Sequence, residues 1–198
     1  YFCGLCLKGR RVVTTRAERA RAVEKRAAIL HAATELLLNE GLRGVTHRQV
    51  AAEAGVSVGS IGYYYTTREK LVVTCLDQLF AARRNVFHEI MNGSADLDDP
   101  AQFATAIADV IACGKPKRMR QVVYAFVESE RELGEVRDFS AKGLEELQGM
   151  ITEMMEKTNV EGVNSTRIVQ VAVGAAVTEL ESDAPVSAVV DLLRIAER

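Results

Sequence analysis

Side chains that could bind phosphate are concentrated between residues 45 and 71. Hydroxyl and guanidinium groups donate hydrogen bonds to phosphate oxygens, and guanidinium groups also carry the complementary charge. Five such side chains fall at the edges of two short predicted helices: Thr46, Arg48, Tyr63, Tyr64 and Arg68. We therefore predict that these residues fix the position of a nucleic-acid backbone.

The second of these short helices would present small residues to a base edge, namely Val58, Gly59, Ser60 and Gly62. Such residues offer few hydrogen bonds, so close backbone approach, thymine-methyl contact and DNA shape must contribute to recognition. Arg48 is a further candidate to reach a guanine. Each glycine costs an isolated helix about 1 kcal/mol relative to Ala, so we expect this helix to become firmer on docking.

The first short helix has well-defined signals at both ends. Thr46 and Gln49 have the spacing of a capping box, in which each side chain accepts a hydrogen bond from the other residue's backbone N–H. Val45 and Val50 are placed to form a hydrophobic staple, and Gly55 supplies the left-handed residue that ends the helix. A sharp turn should follow.

The second short helix should begin after Ser57, whose hydroxyl can cap it. Ile61 and Tyr65 are four residues apart and can face the first helix, which leaves the opposite side free. The two elements together have the form of a DNA-binding helix-turn-helix. A bare match of this kind is a weak signal, since many helical proteins contain two short helices joined by glycine.

A denser pattern comes from the residue types themselves, and it resembles the tetracycline-repressor (TetR) family. The matching positions are Thr46, Val50, Ala51, Ala54, Gly55, Val56, Ser57, Gly59, Ser60, Ile61, Tyr64, Tyr65, Thr67, Arg68, Glu69 and Leu71. Two features depart from the family pattern: Gly62 stands where a phosphate-binding Tyr is usual, and Tyr64 and Tyr65 replace the commoner His and Phe. Tyr63 is the candidate to supply the missing phenol.

Charge is distributed unevenly along the chain. Residues 1 to 70 hold 12 Lys and Arg against 6 Asp and Glu, whereas residues 71 to 198 hold 13 against 21. A basic amino-terminal part suits a polyphosphate partner, and an acidic remainder should point away from it. Residues 1 to 23 form a basic arm that we expect to be disordered, and it could either track phosphates or be a solvated tail.

The cysteines do not indicate a metal site. Cys3 and Cys6 form a C-x-x-C, but no second ligand pair lies near them, and Cys75 and Cys113 are most simply small core residues. We expect no metal and no cofactor. A redox-sensing pair stays open as a hypothesis, and the four thiols without a dense framework suit a reducing cytosol.

Helical periodicity dominates and no alternating strand is evident, so the sequence predicts an all-α fold of about nine helices. A helix over about Glu24 to Glu40 should brace the helix-turn-helix, and a long one from near Arg68 should link it to the body. The other helices are predicted near 100–112, 117–132, 135–157, 165–181 and 186–197. The predicted domains are a DNA-binding region, 24–70, and a ligand-binding and dimerisation region, 71–198.

The segment 167–180 places small and apolar residues on one stripe, which fits either a buried core or a subunit interface. The family resemblance favours the interface, because such proteins dimerise through their last two long helices. It implies a homodimer through the helices near 165–181 and 186–197, which binds an inverted-repeat operator on double-stranded DNA. Repression by steric exclusion of polymerase is the family's usual mode.

A small-molecule effector is also implied by the resemblance, but the lining of its pocket varies too much to transfer. Periodicity offers candidates that are otherwise ordinary core residues: His88, Phe103, Ile107, Tyr124, Phe126, Glu128 and Met150.

The three histidines show no H-E-x-x-H spacing, and there is no G-x-S-x-G elbow or phosphate-cradling glycine loop, so we do not expect an enzyme. No apolar run is long enough to span a membrane, and we expect a cytoplasmic protein. The open alternative is a helical interaction protein, or a nonspecific DNA binder without ligand-controlled operator recognition.

Overall fold

A computed structural model describes residues 16–93, 95–158, 160–179, 181 and 183–196. Within these ranges the chain forms nine α-helices and two short 3₁₀ turns and no strand, which confirms the predicted all-α fold. The helices are α1 Arg16–Glu40, α2 His47–Glu53, α3 Val58–Tyr64, α4 Arg68–Asn92, α5 Pro100–Ile111, α6 Met119–Ser129, α7 Glu135–Glu156, α8 Ser165–Thr178 and α9 Ala184–Ala196. The 3₁₀ turns are Leu42–Gly44 and Pro116–Arg118.

Side-chain caps mark the starts of α2, α3, α4, α5 and α8, and the caps of α2 and α3 are the predicted Thr46 and Ser57. Ser57, Thr67, Asp99 and Asn164 each accept a backbone N–H from the first turn of their helix. Each cap satisfies a donor that the helix itself cannot.

Only half of the predicted capping box at α2 forms. Thr46 Oγ1 accepts from Gln49 N at 3.2 Å, as predicted. The Gln49 side chain does not return to the Thr46 backbone, whose N–H instead donates to the Gly44 carbonyl. Gln49 accepts from the Thr46 hydroxyl and donates to Glu40 at 3.3 Å, because the preceding 3₁₀ turn already satisfies the Thr46 amide.

The first helix begins earlier than its periodicity predicts. α1 starts at Arg16 rather than near Glu24, so residues 16–23 are helical instead of disordered. They are exposed, and half of them are charged and three are alanine, so no apolar stripe could reveal them. The rest of the predicted arm, including Cys3 and Cys6, lies outside the described residues.

Two cores fill the molecule. One joins α1, α2, α3 and the first half of α4 and also takes in side chains from α6. The other joins α5, α7, α8 and α9 with side chains from the second half of α4 and from α6. The amino-terminal core crosses the predicted domain boundary after residue 70, since Leu71, Val72 and Cys75 are fully buried in it. α4 therefore belongs to both parts of the molecule. No helix in the described part of the chain has both the length and the apolar character needed to cross a bilayer.

Candidate nucleic-acid interface and effector cavity

α2 and α3 pack against each other and leave one face free. Gly55 turns the chain at φ +64°, and Val56 N donates to the Ala51 carbonyl, which closes the turn. Ile61 and Tyr65 are buried against the amino-terminal core. The outward side of α3 carries Val58, which is 50% exposed, and Tyr63, which is 81% exposed. This arrangement leaves one face of a short helix open to a partner.

The glycines of that face are not required by packing. A Cβ atom built on Gly59 or Gly62 would meet no atom within 4 Å, and neither residue has a left-handed backbone. Packing therefore does not explain why α3 lacks side chains at these two positions. Close approach of the backbone to a partner would explain it.

This openness leads to a prediction about stability. Gly59→Ala and Gly62→Ala should each raise the free energy of unfolding by about 1 kcal/mol, because alanine restricts the unfolded chain and favours the helix. Urea unfolding of the two variants beside the wild type measures this. A loss of stability in either variant would show that the space around α3 is not free.

The predicted phosphate-positioning residues fall into two groups. Arg48 and Tyr63 are exposed on the surface of the pair, and Thr46 is half-buried as the cap of α2. Tyr64 is more constrained: its hydroxyl donates to the Ala22 carbonyl at 3.4 Å and its ring packs edge-on against Tyr63, with centroids 5.1 Å apart. Tyr64 therefore ties α3 to α1.

Arg68, also predicted to position phosphate, has hydrogen-bond partners within the protein that the sequence did not predict. Nε donates to the Val45 carbonyl at 3.1 Å, and Nη2 donates to the Leu42 carbonyl at 2.7 Å. The Glu132 carboxylate lies 3.4 Å from Nη2. Arg68 therefore holds the loop before α2 in place, which a pattern of residue types could not reveal.

An apolar cavity of about 250 Å³ lies between α4, α6, α7 and α8. Its lining residues are Arg83, Ile111, Val123, Phe126, Val127, Glu130, Ser140, Gly143, Leu144, Leu147, Val169, Gln170 and Val173. Cavities of this kind between helices are where helical proteins bind small molecules.

Of the seven residues predicted for a pocket, Phe126 is on this cavity and the other six are not. Phe103, Ile107 and Met150 pack in the carboxy-terminal core, since apolar periodicity does not distinguish a core from a cavity wall. His88 and Tyr124 are on exposed helix faces. Glu128 points to the amino-terminal helices instead, as described below.

Sequence reasoning did not identify Arg83 as a lining residue. In the sequence Arg83 looks like any solvated charge, as its neighbour Arg84 does, yet it is only 1% exposed. Its interior position depends on how α4 packs against α7, which local sequence does not specify.

α6 connects the cavity wall to the amino-terminal helices. Before its first turn, Arg118 Nη1 lies 2.9 Å from the Glu35 carboxylate and Nη2 donates to Asn39 at 2.8 Å. Near its end, Glu128 Oε2 accepts from Leu42 N at 2.7 Å. The φ of Gly41 is +71°, a left-handed conformation that favours glycine, and a Cβ there would have to displace the same Glu128 carboxylate. The same short helix thus lines the cavity and contacts the turn that precedes α2.

Metal ligands are not gathered at either place: within the described ranges, no group of three or more His, Cys, Asp or Glu side chains could hold an ion.

Comparisons with known proteins agree with this geometry. Residues 29–75, which contain α2 and α3, match the family "Bacterial regulatory proteins, tetR family". Over 90 residues the chain is 33% identical to an uncharacterised HTH-type transcriptional regulator encoded in the dhlA 5′ region of Xanthobacter autotrophicus. That match spans 46% of this chain and 45% of the relative, less than half of either protein.

Solved structures share the fold over most of the chain. A TetR-family transcriptional regulator from Rhodococcus superposes with a TM-score of 0.65 at 18% identity, covering 89% of this chain and 100% of that one. A transcriptional regulator from Saccharomonospora viridis, solved in complex with choline, gives 0.68 at 15% identity, with coverages of 87% and 96%. Over residues 29–75, the chain is thus similar to the bacterial regulatory proteins of the tetR family.

Proposed function

We propose that the chain is a sequence-specific, DNA-binding transcriptional regulator that acts as a twofold dimer and whose DNA affinity is controlled by a small molecule. The exposed face of α3 carries the proposal: a short helix, fixed at both ends and anchored by Ile61 and Tyr65, presents an open face to a partner. Such a helix can enter the major groove of DNA.

In this proposal the groove is read chiefly by shape. Val58, Gly59, Ser60 and Gly62 let the α3 backbone come close to the bases, and Val58 can contact a thymine methyl group. Thr46, Arg48 and Tyr63 bind phosphates on either side, and Tyr64 and Arg68 hold the helix pair in position. The basic amino-terminal charge supports the same orientation.

Selection of duplexes from a random pool tests the proposal. The purified full chain should enrich an inverted repeat, and its affinity for that site should fall as salt rises. Enrichment of no sequence, with weak and wholly salt-sensitive binding, would favour a nonspecific DNA binder instead. The second candidate, a helical interaction protein, draws support from the sparse side chains of α3 and predicts no DNA binding at all.

The dimer is proposed to form through the outer faces of α8 and α9. Gly174 is exposed on α8, and a Cβ there would meet nothing within 4 Å, so a second helix can approach closely. Val177 beside it and Val190 on α9 are only partly buried, as expected for apolar residues that a second copy would cover.

A substitution at Gly174 tests the proposed dimer interface. Gly174→Arg should make the protein largely monomeric at micromolar concentration, because a long charged side chain would stand between the two subunits. Gly149→Arg is the matched control, since Gly149 is equally open but lies on α7, outside the proposed interface. Sedimentation velocity measures both. A monomeric wild type, or a dimeric Gly174→Arg variant, would count against this interface.

The effector is proposed to bind in the cavity between α4, α6, α7 and α8. Its apolar lining supports this, and so does the position of α6, which contributes Val123 and Phe126 to the wall and also contacts Leu42. A ligand that displaces α6 would shift the loop before α2 and hence the spacing of the two α3 helices in the dimer.

A further inference from the structure

The cavity between α4, α6, α7 and α8 has a wall of carbon atoms. Among the described residues that line it, none presents a nitrogen or oxygen atom to the enclosed space. This includes the polar members of the wall, which contribute only their carbon atoms: Arg83, Glu130, Ser140 and Gln170. A ligand inside the cavity therefore meets no hydrogen-bond partner and no exposed charge.

The guanidinium of Arg83 has its contacts behind this wall. Its central carbon lies 5.1 Å from the ring centroid of Phe80 and 4.8 Å from that of Phe126. Nη1 donates to the Gly143 carbonyl at 2.9 Å, and a further hydrogen bond links the group to the Cys113 thiol. Nε has no partner among the described residues, but it is buried and does not reach the cavity. The positive charge is thus close to the cavity but covered.

Phe126 is the residue that belongs to both places. Its ring lines the cavity and also lies against the guanidinium of Arg83. Phe80 stacks on Phe126 with ring centroids 5.3 Å apart, and Phe80 stacks in turn on Phe139 at the same distance. Such aromatic stacking holds the Phe126 ring in place. Phe126 therefore separates a permanent positive charge from an apolar space.

The size and the dryness of the cavity limit what it can bind. An engineered apolar cavity of about 150 Å³ in another protein stays dry and binds benzene. The present cavity, with a volume of 250 Å³, is large enough for a hydrocarbon of two fused rings. A charged group inside would lose its hydration without gaining a partner, which is costly, whereas a hydrocarbon has no such hydration to lose.

We propose that this cavity selects uncharged, apolar molecules with the bulk of a two-ring hydrocarbon, and that Phe126 sets this selectivity by screening Arg83. The inference rests on the proposed function only in taking this cavity as the effector site. A cation inside would be repelled by Arg83. An anion would find none of the paired N–H donors through which a guanidinium binds a carboxylate.

Three probes with the same two-ring body test the selectivity: indane, indanecarboxylate and protonated aminoindane. Equilibrium dialysis in sealed cells measures their affinities for the full chain without DNA. Indane should bind at least about tenfold more tightly than either charged probe, because burying an unpaired charge is costly. Equal affinities, tighter binding of a charged probe, or no binding of indane would overturn the proposal.

The pH dependence of the wild type gives a second test. A carboxylic acid with a pKa of about 4 is increasingly ionised as the pH rises above that value. If only its neutral form enters the cavity, the apparent affinity of the carboxylate probe should fall at least about tenfold between about pH 5 and pH 7. The affinity of indane should stay constant over the same range. A constant affinity of the carboxylate probe would show that the anion binds, which contradicts the proposed selectivity.

Phe126→Ala tests the part played by the ring. Its removal should open Arg83 to the cavity, so the affinity of indanecarboxylate relative to that of indane should rise at least about tenfold. Val173→Ala is the matched control, since Val173 lines the cavity from α8, and none of the guanidinium contacts described above lies on that helix. The affinity ratio should not change in the control.

An unchanged ratio in Phe126→Ala, or an equal rise in Val173→Ala, would remove the screening role from Phe126. If the alanine variant does not fold, Phe126→Val is a smaller truncation in which the ratio should shift in the same direction. The outcome is separable from the proposed function. A chain that selects an operator but does not bind indane keeps its regulatory role and loses this ligand class. A chain that binds indane but enriches no DNA sequence keeps the ligand class and loses the regulatory role.

Discussion

Arg68→Ala is expected to lower the free energy of unfolding by about 2–4 kcal/mol, because it leaves two backbone carbonyls and one carboxylate without their charged donor. The carbonyls belong to Leu42 and Val45, which are buried at the loop that precedes α2. With this loop loosened, α2 and α3 should lose their fixed position, and affinity for a selected operator should fall about tenfold. Urea unfolding and fluorescence anisotropy with a labelled duplex measure the two effects.

The salt dependence of binding separates a positioning role from a phosphate contact. Each phosphate contact contributes about −0.9 to the slope of log affinity against log salt, so loss of a contact flattens that slope. Arg68→Ala should leave the slope unchanged. Arg48→Ala, at an exposed position in α2, should flatten it by about 0.9 per subunit without changing stability. A flattened slope and unchanged stability in Arg68→Ala would instead support the direct phosphate contact that the residue type predicts.

The helix pair could be predicted from sequence because its determinants are local. Caps at Thr46 and Ser57, the left-handed Gly55 and the apolar spacing of Ile61 and Tyr65 each act within a few residues. Local rules therefore place the turn and identify the exposed face of α3. The family match to residues 29–75 covers the same stretch.

The cavity could not be predicted in the same way, because it is formed by residues far apart in the chain. Phe103 and Ile107 have the same apolar character as Phe126, yet they pack against other helices and Phe126 lines the cavity. The difference lies in how α5 and α6 pack against their neighbours. Arg83 illustrates the same point, since its burial depends on the contact of α4 with the Gly143 region of α7.

Glu128 is a functional candidate from the sequence, but its role in the structure is not the predicted one. Its polarity suggested a pocket ligand, but a carboxylate near the end of α6 points away from the cavity and binds the backbone of the turn after α1. Glu132 reaches the same loop through Arg68. Glu128, in the last turn of α6, and Glu132, just after that helix, therefore stabilise the loop that precedes α2. This loop lies on the opposite side of α6 from the cavity wall.

Glu128→Ala is expected to loosen this junction. The Leu42 amide is buried and would lose its only described acceptor among the residues of the structure, which costs about 1–3 kcal/mol of stability. Hydrogen exchange of the Leu42 amide should accelerate by at least about tenfold, since its protection depends on this hydrogen bond. Affinity for a selected operator should fall as well, because the loop that positions α2 becomes mobile.

Glu128→Gln is the matched control for that change, since its amide oxygen can still accept from Leu42 N while the negative charge is gone. If the hydrogen bond carries the coupling, the Gln variant should keep most of the Leu42 protection and most of the DNA affinity. Loss of both in the Gln variant would assign the effect to charge, through Arg68, which binds the Leu42 carbonyl in the same loop. Unchanged hydrogen exchange of the Leu42 amide in Glu128→Ala would mean that α6 does not position the α2–α3 pair. Ligand binding in the cavity would then have to affect DNA binding through α4.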